Sequence, residues 1–171
     1  LKLPRIIFVT NMDDDHASFR ELVLKLERRF GRCIAPFQLP IRENEKFVGY
    51  VNVVKMAGRR FTNLSDYEEC EIPDYSQKNL GIARDALLEA VAETSEEYME
   101  RYFSGEEFTL EEIQGALREH VIDGSIVPVL MGSGINCQGF KTLLQVIDRY
   151  LPTPDKFECV GVDVSTGERF T

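Results

Sequence analysis

The sequence predicts an α/β fold in which a strand–helix unit at each end of the chain brackets an inserted α+β block. Three observations predict it. Residues 6–9 and 126–131 are continuous apolar runs, each followed by a helical pattern with one apolar face. Such runs suit parallel strands covered on both sides. Between them lies a stretch rich in β-branched and aromatic residues, and then a long helical pattern. With 171 residues, 43% of them hydrophobic and 29% charged, the chain has globular composition and enough length for one sizeable core.

Each element follows from local signals. After the strand at 6–9, Asp13, Asp14 and Asp15 offer carboxylates to cap a helix. Phe19, Leu22, Val23, Leu26 and Phe30 form its apolar face, and Gly31 ends it. Residues 35–41 and 47–55 read as strands joined by a turn at 42–45. Residues 59–62 and 67–72 read as two shorter strands around the turn signals of 63–66, and Pro73 closes the β region.

One helix is predicted over 77–103. Leu80, Leu87, Val91, Tyr98 and Tyr102 form its apolar stripe, with Glu89, Glu93, Glu96, Glu97 and Glu100 together on the other side. Thr109-Leu110-Glu111-Glu112 is a capping box for the next helix, whose inward residues are Ile113, Ala116, Leu117 and Val121. After the strand at 126–131, Gly132-Ser133-Gly134 makes a turn. Phe140, Leu143, Leu144, Ile147 and Leu151 then mark a helix that Pro152 and Pro154 end. Residues 155–171 read as a linker with a hairpin around Ser165-Thr166-Gly167. In an open α/β sheet, ligands bind at the carboxyl ends of the strands. The loops at 10–15 and 132–138 are therefore expected side by side in space.

The net charge of -9 argues against broad, direct binding to nucleic acid, which needs a positive surface, and favours a basic protein partner. Cys33, Cys70, Cys137 and Cys159 form no Cys-x-x-Cys pair and lie far in sequence from His16 and His120. Reduced thiols are expected and a structural metal is not. No apolar run reaches the length of about 20 residues that spans a membrane, and the expected reduced thiols go with a cytoplasmic protein. The chain opens at Leu1 almost directly on a buried strand, which suggests a piece of a longer protein.

Four segments carry a resemblance. Arg5-Ile6-Ile7-Phe8-Val9-Thr10-Asn11-Met12-Asp13 resembles the guanine-recognition strand and loop of elongation factor G. Phe47-Val48-Gly49-Tyr50-Val51-Asn52-Val53-Val54-Lys55-Met56 resembles a strand of that factor's insert, the G′ subdomain. Glu93-Thr94-Ser95-Glu96-Glu97-Tyr98-Met99-Glu100-Arg101-Tyr102 is similar to a helix of the same insert. Residues 126–134 with Gly139 and Leu151-Pro152-Thr153-Pro154 are similar to its final strand, base-contacting loop, last helix and exit linker.

The resemblance implies the last two strand–helix units of a P-loop-GTPase-type parallel sheet. Residues 1–33 and 124–154 would form the later half of the GTP-binding domain, 34–123 the insert, and 155–171 a linker to a following domain. The family's guanine motif is Asn-Lys-x-Asp. Asp13 stands at its Asp, whose carboxylate accepts the two donors that distinguish guanine from adenine. Thr10 and Asn11 stand where the family has Asn and Lys; the first has fewer hydrogen-bonding groups and the second lacks the long stem, which predicts a weaker hold on the base. Ser133 and Gly134 stand in the second base-contacting loop. No catalytic residue and no metal ligand is assigned.

The sequence has no G-x-x-x-x-G-K-[ST] loop for phosphates. In the family that loop and the magnesium ligands lie upstream. GTP or GDP with Mg²⁺ is thus expected in the full-length protein, and none tightly bound by this piece. The implied partner is the ribosome, above all its stalk protein, met by Glu89, Glu93 and Glu96. The implied activity is GTP hydrolysis driving translocation. The alternatives are a ribosome-binding paralogue with weakened nucleotide binding and a ribosome-protection protein of the tetracycline-resistance type.

Overall fold

A computed structural model describes residues 3–62, 66–153 and 161–170. Strand β1 (Ile7–Val9) leads through a loop to helix α1 (Phe19–Phe30), then strand β2 (Ile34–Pro36). Strands β3 (Gln38–Glu43), β4 (Lys46–Asn52), β5 (Ala57–Phe61) and β6 (Tyr67–Cys70) follow. Helices α2 (Asp74–Ala92), α3 (Glu96–Ser104) and α4 (Leu110–Asp123) come next, then β7 (Val127–Met131), α5 (Phe140–Tyr150), β8 (Gly161–Val162) and β9 (Arg169–Phe170).

The two apolar runs meet as expected. β1 and β7 pair in parallel, Ile7 opposite Val129 and Val9 opposite Met131, and β2 pairs in parallel on the other side of β7. All five residues of β7 are buried. Their alternation divides the interior, because successive side chains of a strand point to opposite faces. Val127, Val129 and Met131 pack with Phe19 and Val23 of α1 and with Ile34. Leu130 packs with Leu117 and Val121 of α4 and with Val146 and Tyr150 of α5. Among the described residues, the far edge of β1 pairs with no strand.

The predicted strand at 35–41 is two strands in two sheets. Pro36 closes β2 opposite Val129, and the Phe37 amide still donates to the Val129 carbonyl at 3.1 Å. The chain then leaves, and β3 joins the antiparallel order β3-β4-β5-β6. That departure would strand the next amide of β7. Gln38 prevents it: its buried side chain accepts from the Met131 amide at 2.8 Å. Likewise the strand predicted at 47–55 stops at Asn52, whose carboxamide oxygen accepts from the Lys55 amide at 2.8 Å and bends the chain into β5.

The helix predicted over 77–103 is also two. Thr94 folds its hydroxyl and amide back onto the Val91 carbonyl, at 2.6 and 3.1 Å. Ser95 is then extended and caps α3, accepting from the Tyr98 amide at 3.1 Å. Glu89, Glu93, Glu96, Glu97 and Glu100 are all exposed, but they do not share the single helical face that the sequence predicts. A second correction concerns α1: its cap is Ser18, not an aspartate. Asp14 instead accepts from the His16 amide at 2.8 Å.

The capping box of α4 forms as expected, with the Thr109 amide donating to the Glu112 carboxylate at 2.8 Å. Arg101 of α3 donates to the same carboxylate, also at 2.8 Å. Arg101 above all, then the Thr109 amide, lowers the Glu112 pKa from the usual 4.5 to about 2. A depressed carboxylate contributes stability that is present above its unfolded pKa and is lost as pH falls through the folded one. The Glu112→Gln variant should therefore melt below the parent near neutral pH, with the gap closing between about pH 4.5 and pH 2. Thermal unfolding across that range checks it; a gap independent of pH refutes it. The tail forms the expected hairpin, β8 against β9, while residues 155–160 lie outside the described residues.

Candidate guanine-recognition loops

Parallel pairing puts the carboxyl ends of β1 and β7 together, and their loops are stitched to one another. The Met12 amide donates to the Gly132 carbonyl at 3.1 Å, and the Gly132 amide donates to the Val9 carbonyl at 2.9 Å. Met12 is 1% exposed and packs on Val129 and Met131. This anchor leaves Asn11 on the outside and Asp13 half-buried. Asn11 is exposed with φ of 59°, a left-handed conformation that Asn tolerates. Its carbonyl accepts from the Asp14 amide at 3.2 Å. Thr10 is exposed, and its hydroxyl engages none of the described residues.

Asp13 is half-buried, and its Oδ1 is buried with no hydrogen-bond partner among the described residues. Since Ser18 caps α1 and Asp14 closes the loop, neither task falls to Asp13. A buried acceptor left unmatched costs about 1–3 kcal/mol, more when charged. A base edge carrying adjacent N–H donors would satisfy it, so the residue fits the group that the sequence assigned to it.

The second loop is held more tightly than its sequence suggests. Ser133 is fully buried. It exchanges backbone hydrogen bonds with Gln138, at 3.1 and 3.0 Å, and its Oγ accepts from the Asn136 amide at 3.2 Å. The hydroxyl thus closes the loop from inside. Gly134 is exposed, and among the described residues its amide donates to nothing. Gly132 is required by space: a Cβ there would lie 2.2 Å from the Gln138 carbonyl oxygen and 2.6 Å from the Phe8 ring.

Sequence reasoning missed two side chains. Lys25 of α1 lines the same cleft as Thr10, Asn11 and Asp14. Arg42, from β3 of the insert, reaches back to the base loop. Its Nη2 donates to the carbonyls of Met12, Asp14 and Ala17, at 2.9, 3.3 and 3.1 Å. Nothing in the sequence pattern links it to residues some 25 positions earlier. Of the glutamates assigned to a partner, Glu89 and Glu93 line a cleft with Glu27, Arg32 and His120, whereas Glu96 opens α3. Among the described residues no group of three His, Cys, Asp or Glu side chains could hold a metal, and no helix is long and apolar enough to cross a membrane.

Comparison with known proteins agrees with the fold. Residues 1–153 match the family model described as the elongation factor Tu GTP binding domain. A crystal structure of a protein from Thermus thermophilus is similar over 91% of this chain, with 34% identity and a TM-score of 0.80. The chain spans 23% of that protein's length.

Proposed function

The chain belongs to the family of the elongation factor Tu GTP binding domain, the translational GTPases, and from that premise we propose that it is the base-reading part of a longer factor of the elongation factor G type. The observation that carries the reading is the unmatched, buried Oδ1 of Asp13 beside the loop at 132–138. Asp13 accepts the N1–H and N2–H donors of guanine, which adenine lacks. The open amide of Gly134 donates toward the base from the other loop, and Ser133 holds that loop closed. Asn11 and Thr10 border the site. The nucleotide, when bound, supplies the phosphates whose hydrolysis switches such a factor between states. These residues orient its base, while the cradle for phosphates and Mg²⁺ is another part of the longer protein.

The test uses the 171-residue chain and nucleosides. Guanosine should shift the amide resonances of residues 11–13 and 133–135, and adenosine should not. Equal responses to both would overturn the reading. The same chain should bind GDP with a dissociation constant no better than about 1 mM, because that corresponds to only about 4 kcal/mol and a base pocket alone offers little more. It should release no phosphate from GTP above a buffer control. Micromolar GDP binding in calorimetry would contradict the assignment.

In the longer factor the insert would face the ribosome in the cytoplasm during translocation, with Glu89, Glu93 and Glu96 meeting the basic end of the stalk protein. Their exposure supports this, as does the net charge of -9. Long-range attraction of this kind raises the association rate and weakens with salt. Reversing all three to Lys should leave the melting temperature nearly unchanged, since exposed charges contribute little to stability. It should slow stalk-dependent recruitment to ribosomes at low salt by about tenfold. A folded triple variant recruited at the parent's rate at every salt concentration would remove these residues from the contact.

A further inference from the structure

A second site lies away from the base loops, where the sheet of the insert packs on α5. A cavity of about 170 Å³ remains there, walled by Gln38, Arg59, Tyr67, Thr142, Gln145 and Tyr150 among others. Arg59 is 5% exposed. Its guanidinium carbon sits 4.2 Å from the centroid of the Tyr67 ring, and its Nη1 donates to the Tyr50 hydroxyl at 3.1 Å. Among the described residues no carboxylate pairs with it, and its Nε is buried without a partner. Gln38 is 1% exposed; with Oε1 given to the Met131 amide, its Nε2 is also buried and unmatched. Lys55 and Arg149 add positive charge to the cavity wall against one acid, Asp148.

Buried donors are normally bonded and buried charges normally neutralised. The tyrosine rings offset part of the cost of Arg59 but supply no counter-charge. A water would answer a donor and leave the charge. We propose that this cavity binds a compact oxyanion, a phosphate or carboxylate group, held by the Arg59 guanidinium and the Gln38 amide. Arginine's planar fork suits such a group. The volume is ample for a compact ion such as phosphate. The walls come from β3, β4, β5 and β6 on one side and from α4, β7 and α5 on the other. An oxyanion there would tie the insert to the strand and helix that flank the loop at 132–138.

The experiment contains no nucleotide, so its outcome is independent of guanine reading. The isotopically labelled chain is titrated with inorganic phosphate, with acetate in parallel, against chloride at equal ionic strength. Phosphate should give saturable shifts at the Arg59 Nε–H, the Gln38 side-chain amide and the Met131 amide, and should raise the melting temperature. Acetate acting alone on the same signals would assign the carboxylate form of the ligand. Arg59→Gln should weaken the response at least about tenfold. Gln145 accepts from the Tyr67 hydroxyl at the cavity wall and is exposed. Gln145→Glu therefore keeps that bond and the fold, places a fixed carboxylate beside the cavity, and should abolish the response even if Arg59→Gln does not fold. Equal shifts with chloride, shifts confined to exposed lysines, no saturable shift, or an undiminished response in Gln145→Glu would each overturn the proposal.

Discussion

Asp13→Asn should turn the base preference of the longer factor from guanine toward xanthine. The carboxylate accepts two hydrogen bonds from guanine. An amide in its place keeps one acceptor and presents a donor, which faces a donor on guanine but meets a carbonyl on xanthine. Hydrogen bonds to charged groups are worth about 1.5–3 kcal/mol each, so GDP binding should weaken about a hundredfold or more while XDP binding improves. Stability should hardly change, because Oδ1 of Asp13 bonds to nothing in the fold. Competition between GDP and XDP reads the switch directly. An unchanged ratio in a folded variant would show that another residue reads the base.

Arg42→Met should loosen the same loop from a distance. Three backbone carbonyls at positions 12, 14 and 17 lose a charged donor together, and the Glu45 carbonyl loses a fourth bond at 2.6 Å. The expected destabilisation is about 2–4 kcal/mol, or roughly 5–15 °C in melting temperature for a chain of this size. Hydrogen exchange should localise it, with the Ala17 amide, which donates to the Asp14 carbonyl at 3.0 Å, losing protection before the amides of β7 do. Met keeps much of the stem's apolar contact, so the loss measures the guanidinium. A melting point within a degree or so of the parent's would mean that the loop holds itself.

The sequence revealed most where one local signal decided one element. Residues 126–131 had no polar position to place at a surface, and β7 is buried on both faces. The capping box at Thr109 formed as written. A short signal that interrupts a longer pattern is less legible. Thr94-Ser95 is a helix stop followed by a helix cap, yet the apolar spacing on either side continued well enough to read as one helix. Pro36 was the corresponding signal within 35–41. At 94–95 the bonds that end one helix and cap the next are local, whereas at 35–41 tertiary contacts made the choice: Phe37 stays on the Val129 carbonyl while Gln38 begins another sheet. Within the site, the alternation of Asn11 and Asp13 about a buried Met12 was not legible, because a methionine in a loop carries no sign of which way it packs. Arg42 was hidden for a simpler reason: its acceptors are backbone carbonyls, which every residue has.

Among the described residues the far edge of β1 is unpaired, which leaves the chain on its own open to strand addition there. Val9 turns its carbonyl to the Gly132 amide, so on the far side it is Phe8 that presents its backbone N–H and C=O with no strand partner among the described residues, and no proline, lysine or bulge within the strand blunts it. An edge of this kind is a template for another strand. Two copies in concentrated solution can satisfy it by joining β1 to β1, and in such a pair each copy would occupy the place that a neighbouring strand of a wider sheet would take. Self-association through this edge should rise with protein concentration and should persist at high salt, where the repulsion between copies of charge -9 is screened.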